Sequence, residues 1–128
     1  MSRTPVNSTR APAPAGPYSH AIVAGDLVFA SGQTGTKDPA TGQSNDTVEA
    51  QAKQVLANLS VVLEDAGTSL ANVVKTTIFL TDIGDFAAVN AVYGEVMGDD
   101  PPARSTVQVA ALPGGAIVEI EMTALRGS

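Results

Sequence analysis

Three charged side chains in the last quarter of the chain are of types that can do chemistry together. The stretch DPPARSTVQVAALPGGAIVEIEM, residues 100–122, carries Arg104 near its start and Glu119 and Glu121 near its end. A guanidinium matches a carboxylate with two parallel hydrogen bonds, which lysine cannot do. A carboxylate within hydrogen-bond reach of a water molecule can orient it and accept its proton. Residues of these types can bind an anion and act on water, but Arg104 alone is more often a surface ion-pair partner and Glu119 alone is more often a solvated strand residue.

The same charges also fit a solvated sheet face, and pattern alone favours that interpretation. Side chains alternate across a strand, so Glu119 and Glu121 point away from the side of Val118 and Ile120. We assign the valine and isoleucine side to the protein core. The carboxylates are then expected on a face that the helices do not cover.

Residues 105–111 and 116–125 are predicted to form a hairpin joined by a Pro-Gly-Gly turn. If the first strand extends back to Arg104, alternation places this residue on the face of Glu119 and opposite Val107. In that register Arg104 lies roughly 13–20 Å along the strand from the partner of Glu119. The two side chains are therefore not expected to pair within one chain.

The composition narrows the possible functions. The chain has 128 residues and a net charge of −6, which fits one acidic domain. Its seven Lys and Arg residues are scattered, which disfavours nucleic-acid binding because that depends on cations that neutralise phosphates. The absence of cysteine excludes disulfides, thiolate zinc sites and a thiol nucleophile, and the single histidine, His20, disfavours a histidine metal site. No apolar run approaches the roughly 20 residues that span a bilayer, so we expect a cytoplasmic protein that is not bound to a membrane.

The first third of the chain reads as an arm followed by a hairpin. Residues 1–15 are rich in Pro, Ser, Thr and Ala and are expected to form a flexible arm. A single domain is expected over residues 16–128. Within it, residues 19–33 hold two apolar runs around Gly25 and Asp26, which is a turn signal typical of a hairpin.

Two helices and a strand are expected next. Asp46 and Glu49 have the spacing of a capping box, and an apolar stripe follows as far as Gly67, a residue typical of a helix end. The β-branched residues 73–81 predict a strand. A second helix is expected from residues 82–85 to Met97, before prolines that cannot continue it.

The predicted order ββαβαββ indicates a two-layer α+β fold, a mixed sheet of about six strands with two helices on one face. The middle strand is not fully polar on either side, since Thr77 and Phe79 alternate with Ile78 and Leu80. A partly apolar sheet face that no helix covers is typical of an oligomer interface.

Five motifs together resemble the RidA family, also called YjgF or L-PSP. They are GPYSHA (16–21), ASGQ (30–33), VVKTTIFLTDIGDFAAVNAVY (73–93), PPARSTV (101–107) and LPGGAIVEIE (112–121). The resemblance covers nearly the whole chain after the arm, and PPARS followed by LP and VEIE is its most specific part. It implies a chorismate-mutase-like fold and a homotrimer with three sites in clefts between subunits.

The resemblance also implies an activity, the deamination of reactive 2-enamino and 2-imino acids such as 2-aminoacrylate and 2-iminobutanoate to 2-oxo acids and ammonia. The chain would then be a 2-iminobutanoate/2-iminopropanoate deaminase, a cofactor-free hydrolase of C=N bonds that controls metabolite damage. By position, the family's catalytic residues are Arg104 for the substrate carboxylate, Glu119 for water, and Tyr18. The family's substrate-binding positions correspond to Ser31, Gly32, Asn90 and Thr106.

The sequence departs from many family members at three positions. Thr106 stands in place of cysteine, Ala111 in place of arginine and His20 in place of glutamine. These changes alter the pocket wall, and for His20 we expect a packing or surface role. Two other functions stay open at this point: an endoribonuclease or translation inhibitor, against which the acidic charge argues, and a non-catalytic module that binds a small carboxylate.

Overall fold

The computed structural model describes residues 2–127 and shows one six-stranded sheet with two α-helices packed on one face. Across the sheet the strand order is β1-β2-β3-β6-β4-β5, and within these residues β4 and β5 are the one parallel pair of neighbours. The predicted fold class is confirmed, with one strand added before the expected ββαβαββ order. The elements are β1 (Arg3–Val6), β2 (Ala21–Ala24), β3 (Leu27–Thr34), α1 (Val48–Asp65), β4 (Val73–Leu80), α2 (Phe86–Met97), β5 (Ala103–Gln108) and β6 (Val118–Leu125).

The N-terminal segment is ordered, so the prediction of a flexible arm over residues 1–15 is wrong for the part that the structure describes. Strand β1 pairs antiparallel with β2, Ser8 and Ala11 are buried, and Arg10 forms ion pairs with α1. The prediction rested on composition, which does not show backbone pairing. Hydrogen bonds to the edge of a strand can hold a segment in place even when it has few large apolar side chains. Met1, in the predicted arm, and Ser128, in the predicted domain, lie outside the described residues.

The hairpin β2–β3 and the helix α1 form where the sequence indicates. Gly25 has a positive φ of 59° in the two-residue turn. Helix α1 is capped by Thr47, not by Asp46 as predicted, and the Thr47 hydroxyl accepts a hydrogen bond from the Ala50 N–H at 3.1 Å. Gly67, with φ of 87°, follows its end as predicted. No helix within residues 2–127 combines the length and the apolar character needed to span a bilayer.

The apolar stripe of α1 packs on β3 and β6 and forms the core with the helix-facing residues of the sheet. Two buried side-chain amides on the same helix form hydrogen bonds with backbone groups near the end of β3 and the start of β6. Gln51 donates to the Asn45 carbonyl at 3.0 Å and accepts from the Ile117 N–H at 3.1 Å. Asn58 donates to the Thr34 carbonyl at 3.1 Å. Helix α1 therefore fixes both strand ends by specific hydrogen bonds as well as by apolar contact.

The expected hairpin between the last two strands is wrong. Strand β5 pairs in parallel with β4, and β6 lies on the other side of β4, between β4 and β3. Helix α2 returns the chain alongside β4, since a parallel neighbour requires a crossover connection. The chain then crosses to the opposite side of β4 through residues 109–117, where Gly114 and Gly115 take positive φ values of 65° and 72°.

The side-chain direction of β5 is also opposite to the prediction. Arg104 pairs with Thr76 and Thr106 pairs with Ile78, and both β4 residues are fully buried under the helices. Arg104 and Thr106 therefore lie on the helix side, whereas Val107 is 42% exposed on the open face. The prediction that Arg104 shares the uncovered face with Glu119 is wrong, because β5 is an edge strand whose helix side is only partly covered.

Close packing at Gly35 gives a stability test of the contact between α1 and the end of β3. A Cβ at this position would collide with the Gln51 backbone oxygen and lie 2.9 Å from the Val55 nitrogen. Gly35→Ala is expected to lower the free energy of unfolding by about 1–3 kcal/mol, as overpacking does. Gly94→Ala in α2 is the control, since its Cβ would meet no atom within 4 Å, and it is expected to be neutral or stabilising by up to about 1 kcal/mol. Equal effects in urea unfolding would contradict this account of Gly35.

Candidate active site

Five of the seven predicted site residues fall into two separate clefts of the chain, and Ser31 and Thr106 line neither. The Glu119 cleft, with a volume of about 210 Å³, contains Tyr18, Gly32 and Glu119 among its lining residues. The Arg104 cleft, with a volume of about 290 Å³, contains Asn90 and Arg104. The other residues of the Glu119 cleft are Pro12, Ala13, Ala15, Gln33, Thr34 and Pro113. Those of the Arg104 cleft are Tyr93, Gly94, Met97, Gly98, Pro101 and Pro102.

A β-bulge in β3 shapes the floor of the Glu119 cleft. The pairing of β3 with β6 skips from Ala30 to Gln33, so that Ser31 and Gly32 together oppose one residue of β6. A Cβ at Gly32 would lie only 2.6 Å from the Oε2 atom of Glu119. Glycine is therefore a steric requirement for the observed position of the carboxylate.

Ser31 holds the bulge in place. Its hydroxyl donates to the Ser19 carbonyl at 2.7 Å and its N–H donates to the His20 carbonyl at 2.9 Å. Both bonds tie the bulge to the residues that precede β2, on the side of β3 opposite to β6. The predicted substrate-binding role of Ser31 stays a prediction, and its observed contacts act on the backbone beside Gly32.

Burial raises the pKa of the Glu119 carboxyl above its ordinary value, and the negative charge of Glu121 raises it further. Glu119 and Glu121 lie on the open face, as predicted, since Glu119 pairs with Phe79 and Glu121 pairs with Thr77 of β4. Within residues 2–127 the ion pairs are those of Arg10, so this part of the chain offers Glu119 no cation. The carboxylate is thus a stronger proton acceptor than an exposed glutamate.

Tyr18 lies at the mouth of the Glu119 cleft and is 47% exposed. Its hydroxyl oxygen accepts a hydrogen bond from the Ala15 N–H at 3.2 Å. This bond uses a lone pair and leaves the hydroxyl hydrogen available to a ligand. The cleft therefore combines a proton acceptor at its floor with a hydrogen-bond donor at its rim.

The Arg104 guanidinium is stacked on two aromatic rings of α2. Its central carbon lies 5.0 Å from the ring centroid of Tyr93 and 5.5 Å from that of Phe86. The Tyr93 hydroxyl is in turn held by a buried 2.8 Å hydrogen bond to the Thr76 hydroxyl. Stacking engages the flat faces of a guanidinium. The N–H groups at its edge are then left for a carboxylate.

Asn90 and Thr106 lie on the same side of the sheet as Arg104. Asn90 falls between Phe86 and Tyr93 at helical spacing and lines the Arg104 cleft. The Thr106 hydroxyl is buried and has no hydrogen-bond partner among the described residues, and the residue does not line either cleft. The roles of Asn90 and Thr106 in substrate binding stay predictions.

Sequence reasoning missed several residues that build the two clefts. The Phe86 and Tyr93 rings that stack on Arg104 lie seven residues apart in the second predicted helix, and that spacing was the available signal. Pro12, Ala13 and Ala15 had no signal, because they belong to a segment expected to be flexible. Their position depends on contacts with distant residues.

The two clefts are too far apart to act on one small molecule within a single chain. Arg104 pairs with Thr76, whereas Glu119 pairs with Phe79 three residues further along β4. Three residues of strand span about 10 Å, and the two strand spacings across β4 add about 10 Å in the other direction. The side chains also project from opposite faces of the sheet.

Known proteins are similar to this chain over nearly its full length. The family model described as endoribonuclease L-PSP matches residues 8–126. The goat (Capra hircus) protein named 2-iminobutanoate/2-iminopropanoate deaminase is 46% identical over 129 residues, which cover 99% of this chain and 93% of that protein. RidA from an Antarctic Psychrobacter species aligns with a TM-score of 0.90 and 43% identity over 95% of this chain and 98% of that chain. The structure of E. coli TdcF with bound serine aligns with a TM-score of 0.87 and 38% identity over 97% of this chain and 99% of that chain.

The raised pKa of Glu119 predicts a stability effect with a defined pH dependence. Burial penalises the charged carboxylate only in the folded state, so Glu119→Gln is expected to raise the melting temperature at neutral pH. The gain is expected to disappear in acid, where the carboxyl is protonated in both the folded and the unfolded chain. Thermal unfolding across pH measures this difference. The exposed Glu95→Gln is the control and is expected to change stability little; a Glu119→Gln protein less stable than the wild type at neutral pH would contradict the prediction.

Proposed function

This chain belongs to the RidA family, and from that membership we propose that it hydrolyses reactive 2-imino acids and their enamine tautomers to 2-oxo acids and ammonia. The observation that carries the proposal is the pair of groups without an ion-pair partner in the described chain, a stacked guanidinium in one cleft and a half-buried carboxylate of raised pKa in the other. The name of the goat relative, 2-iminobutanoate/2-iminopropanoate deaminase, supports the same activity.

Arg104 is proposed to bind the substrate carboxylate through two parallel hydrogen bonds. The chain has a net charge of −6, so its long-range field does not attract an anion and the attraction must be local. The serine bound to TdcF is itself a small molecule with a carboxylate, which supports a substrate of this size and charge. The Glu119 cleft, at about 210 Å³, is smaller than the roughly 300–1,000 Å³ of sites for drug-sized ligands.

Glu119 is proposed to activate the water. The carboxylate accepts a proton as the water oxygen bonds to the carbon of the protonated imine, whose C=N π electrons move to nitrogen and leave a neutral amino group. The Glu119 carboxylic acid then protonates this amino group. Ammonia leaves with the electrons of the C–N bond as the adduct hydroxyl returns its proton to the Glu119 carboxylate and the C=O bond forms. Tyr18 is proposed to donate a hydrogen bond to the nitrogen or to the water, from the rim of the same cleft.

Assembly into a homotrimer is proposed to bring the two halves of the site together, with Arg104 of one subunit facing Glu119 and Tyr18 of the next. Two features of the chain support this arrangement. The clefts lie on opposite faces of one sheet, and the open face carries exposed apolar side chains, with Phe29 at 45% and Val107 at 42% exposure. Such a face is typical of an interface between copies.

An endoribonuclease, the activity in the family model's description, is less well supported. Seven scattered Lys and Arg residues in a chain of net charge −6 give little cationic surface for phosphates. RNA cleavage that is lost in Glu119→Gln, in preparations free of other nucleases, would favour that activity instead.

Arg104→Ala is expected to lower kcat/KM for a dehydratase-generated imine by about 100-fold or more, since it removes two charge-assisted hydrogen bonds. Arg104→Lys keeps the charge without the paired donors, so an intermediate loss is expected. Imine decay can be followed by trapping the remaining imine or by the appearance of the 2-oxo acid. Arg126→Ala, an exposed arginine that lines neither cleft, is the matched control. Wild-type turnover by a folded Arg104→Ala protein would overturn the proposal.

A mixing experiment tests whether two subunits supply the site. If each site takes Arg104 from one subunit and Glu119 from the next, every mixed trimer of Arg104→Ala and Glu119→Gln chains contains one intact site. Random reassembly of equal amounts is expected to restore roughly a quarter of wild-type activity, because about three-quarters of the trimers are mixed and each has one site of three. Each variant alone is the control. Mixed trimers without activity would show that the two residues do not meet across the interface.

A further inference from the structure

His20 is a buried side chain that joins the N-terminal segment to the sheet. It is 1% exposed, and its Nδ1 accepts a hydrogen bond from the Ser8 N–H at 2.9 Å. Its Nε2 lies 2.7 Å from the Pro12 carbonyl oxygen, which can only accept. The ring is therefore neutral with its hydrogen on Nε2, and both nitrogens are engaged by the same segment.

The segment that His20 holds is the wall of the Glu119 cleft. Pro12, Ala13 and Ala15 line this cleft, and the Ala15 N–H donates to the Tyr18 hydroxyl at the rim. On its other side, the His20 carbonyl accepts from Ser31 in the bulge that supports Glu119. The His20 side chain thus contacts the wall of the cleft, and the His20 backbone contacts its floor.

Few other contacts can place this wall. Pairing of β1 with β2 ends at Val6, and the ion pairs of Arg10 with α1 lie on the surface, with half of the arginine side chain exposed, where such pairs contribute little. Ala11 is buried but is a single methyl group. His20 gives this segment one buried hydrogen bond, from the Ser8 N–H, and one part-buried hydrogen bond, to the Pro12 carbonyl.

We propose that His20 is a positioning residue for substrate binding, which holds residues 8–12 so that Pro12, Ala13 and Ala15 close the Glu119 cleft. The proposal rests on the proposed deaminase function. It differs from a packing role because it depends on one hydrogen-bond acceptor and one donor, and not on the volume of the ring.

Two substitutions separate positioning from packing. Glutamine keeps an acceptor and a donor at the end of its side chain, whereas leucine fills the space without either. His20→Leu is expected to raise KM by roughly tenfold, the effect of about one lost hydrogen bond, with a smaller change in kcat. His20→Gln is expected to restore KM to near the wild-type value. A folded His20→Leu protein with wild-type KM, or equal KM values for the two variants, would overturn the proposal.

Hydrogen exchange of the Ser8 amide measures how well the hydrogen bond from the Ser8 N–H to His20 is maintained, independently of enzyme activity. Exchange is expected to be slow in the wild type and in His20→Gln and faster in His20→Leu. If His20→Leu fails to fold, His20→Met replaces it, since an unbranched thioether side chain adapts to irregular core space but offers no N–H donor and only a weak acceptor. His20→Met is then expected to speed Ser8 exchange and to raise KM, and unchanged values of both would contradict the proposal.

The exchange result also distinguishes the two proposals. Without imine turnover by the wild type, the deaminase proposal fails, while Ser8 protection that depends on His20 would still establish that His20 holds residues 8–12. With turnover but with Ser8 exchange that is independent of residue 20, the positioning proposal fails and the deaminase proposal stands. Arg10→Ala is the matched control for the surface contacts of the same segment and is expected to leave KM unchanged.

Discussion

The pairing of β6 with both β3 and β4 is the constraint on which the two clefts depend. Since β6 occupies the centre of the sheet, its alternation is fixed by partners on both sides, and Glu119 is held on the open face against the bulge of β3. The same pairing leaves β5 at the edge of the sheet. Arg104 there lies beside α2, where two aromatic rings are within reach. The positions of both Arg104 and Glu119 thus follow from the insertion of β6 between β3 and β4.

The separation of the two charges keeps each of them reactive. A direct ion pair would lower the pKa of Glu119 and occupy the N–H groups of Arg104. The fold instead uses a different device for each residue, burial near a second carboxylate for Glu119 and stacking on aromatic rings for Arg104. Both devices leave the polar edge of the group unpaired by the described chain, which is what a binding site for a zwitterionic or anionic small molecule requires.

Local patterns in the sequence predicted local structure well. The apolar stripe of α1, the Gly25 turn and the strand over residues 73–81 all formed, because each depends on neighbours in the chain. Pairing partners could not be predicted in the same way. The Pro-Gly-Gly sequence suggested a hairpin, yet it makes a crossing connection, since α2 had already placed β5 on the far side of β4. Because of that error, Arg104 was predicted on the wrong face of the sheet. The wall of the Glu119 cleft was not predicted at all, because its residues were expected to be flexible. The site residues themselves came from motifs, and their roles stay predictions.

The central position of β6 has a consequence for how the chain acquires its structure during synthesis. Residues 118–125 follow β3 and β4 in the chain but must pair between them. During synthesis β3 and β4 both leave the ribosome before β6. Until β6 is made, the edge of each strand that pairs with β6 in the finished sheet has no partner. Strand edges of this kind are prone to pair with other chains. The insertion of β6 is then expected to be the rate-limiting folding step, because β6 is far from β3 in the sequence. Hairpin β2–β3 and helix α1 are synthesised first, so they are expected to be formed already when β6 inserts.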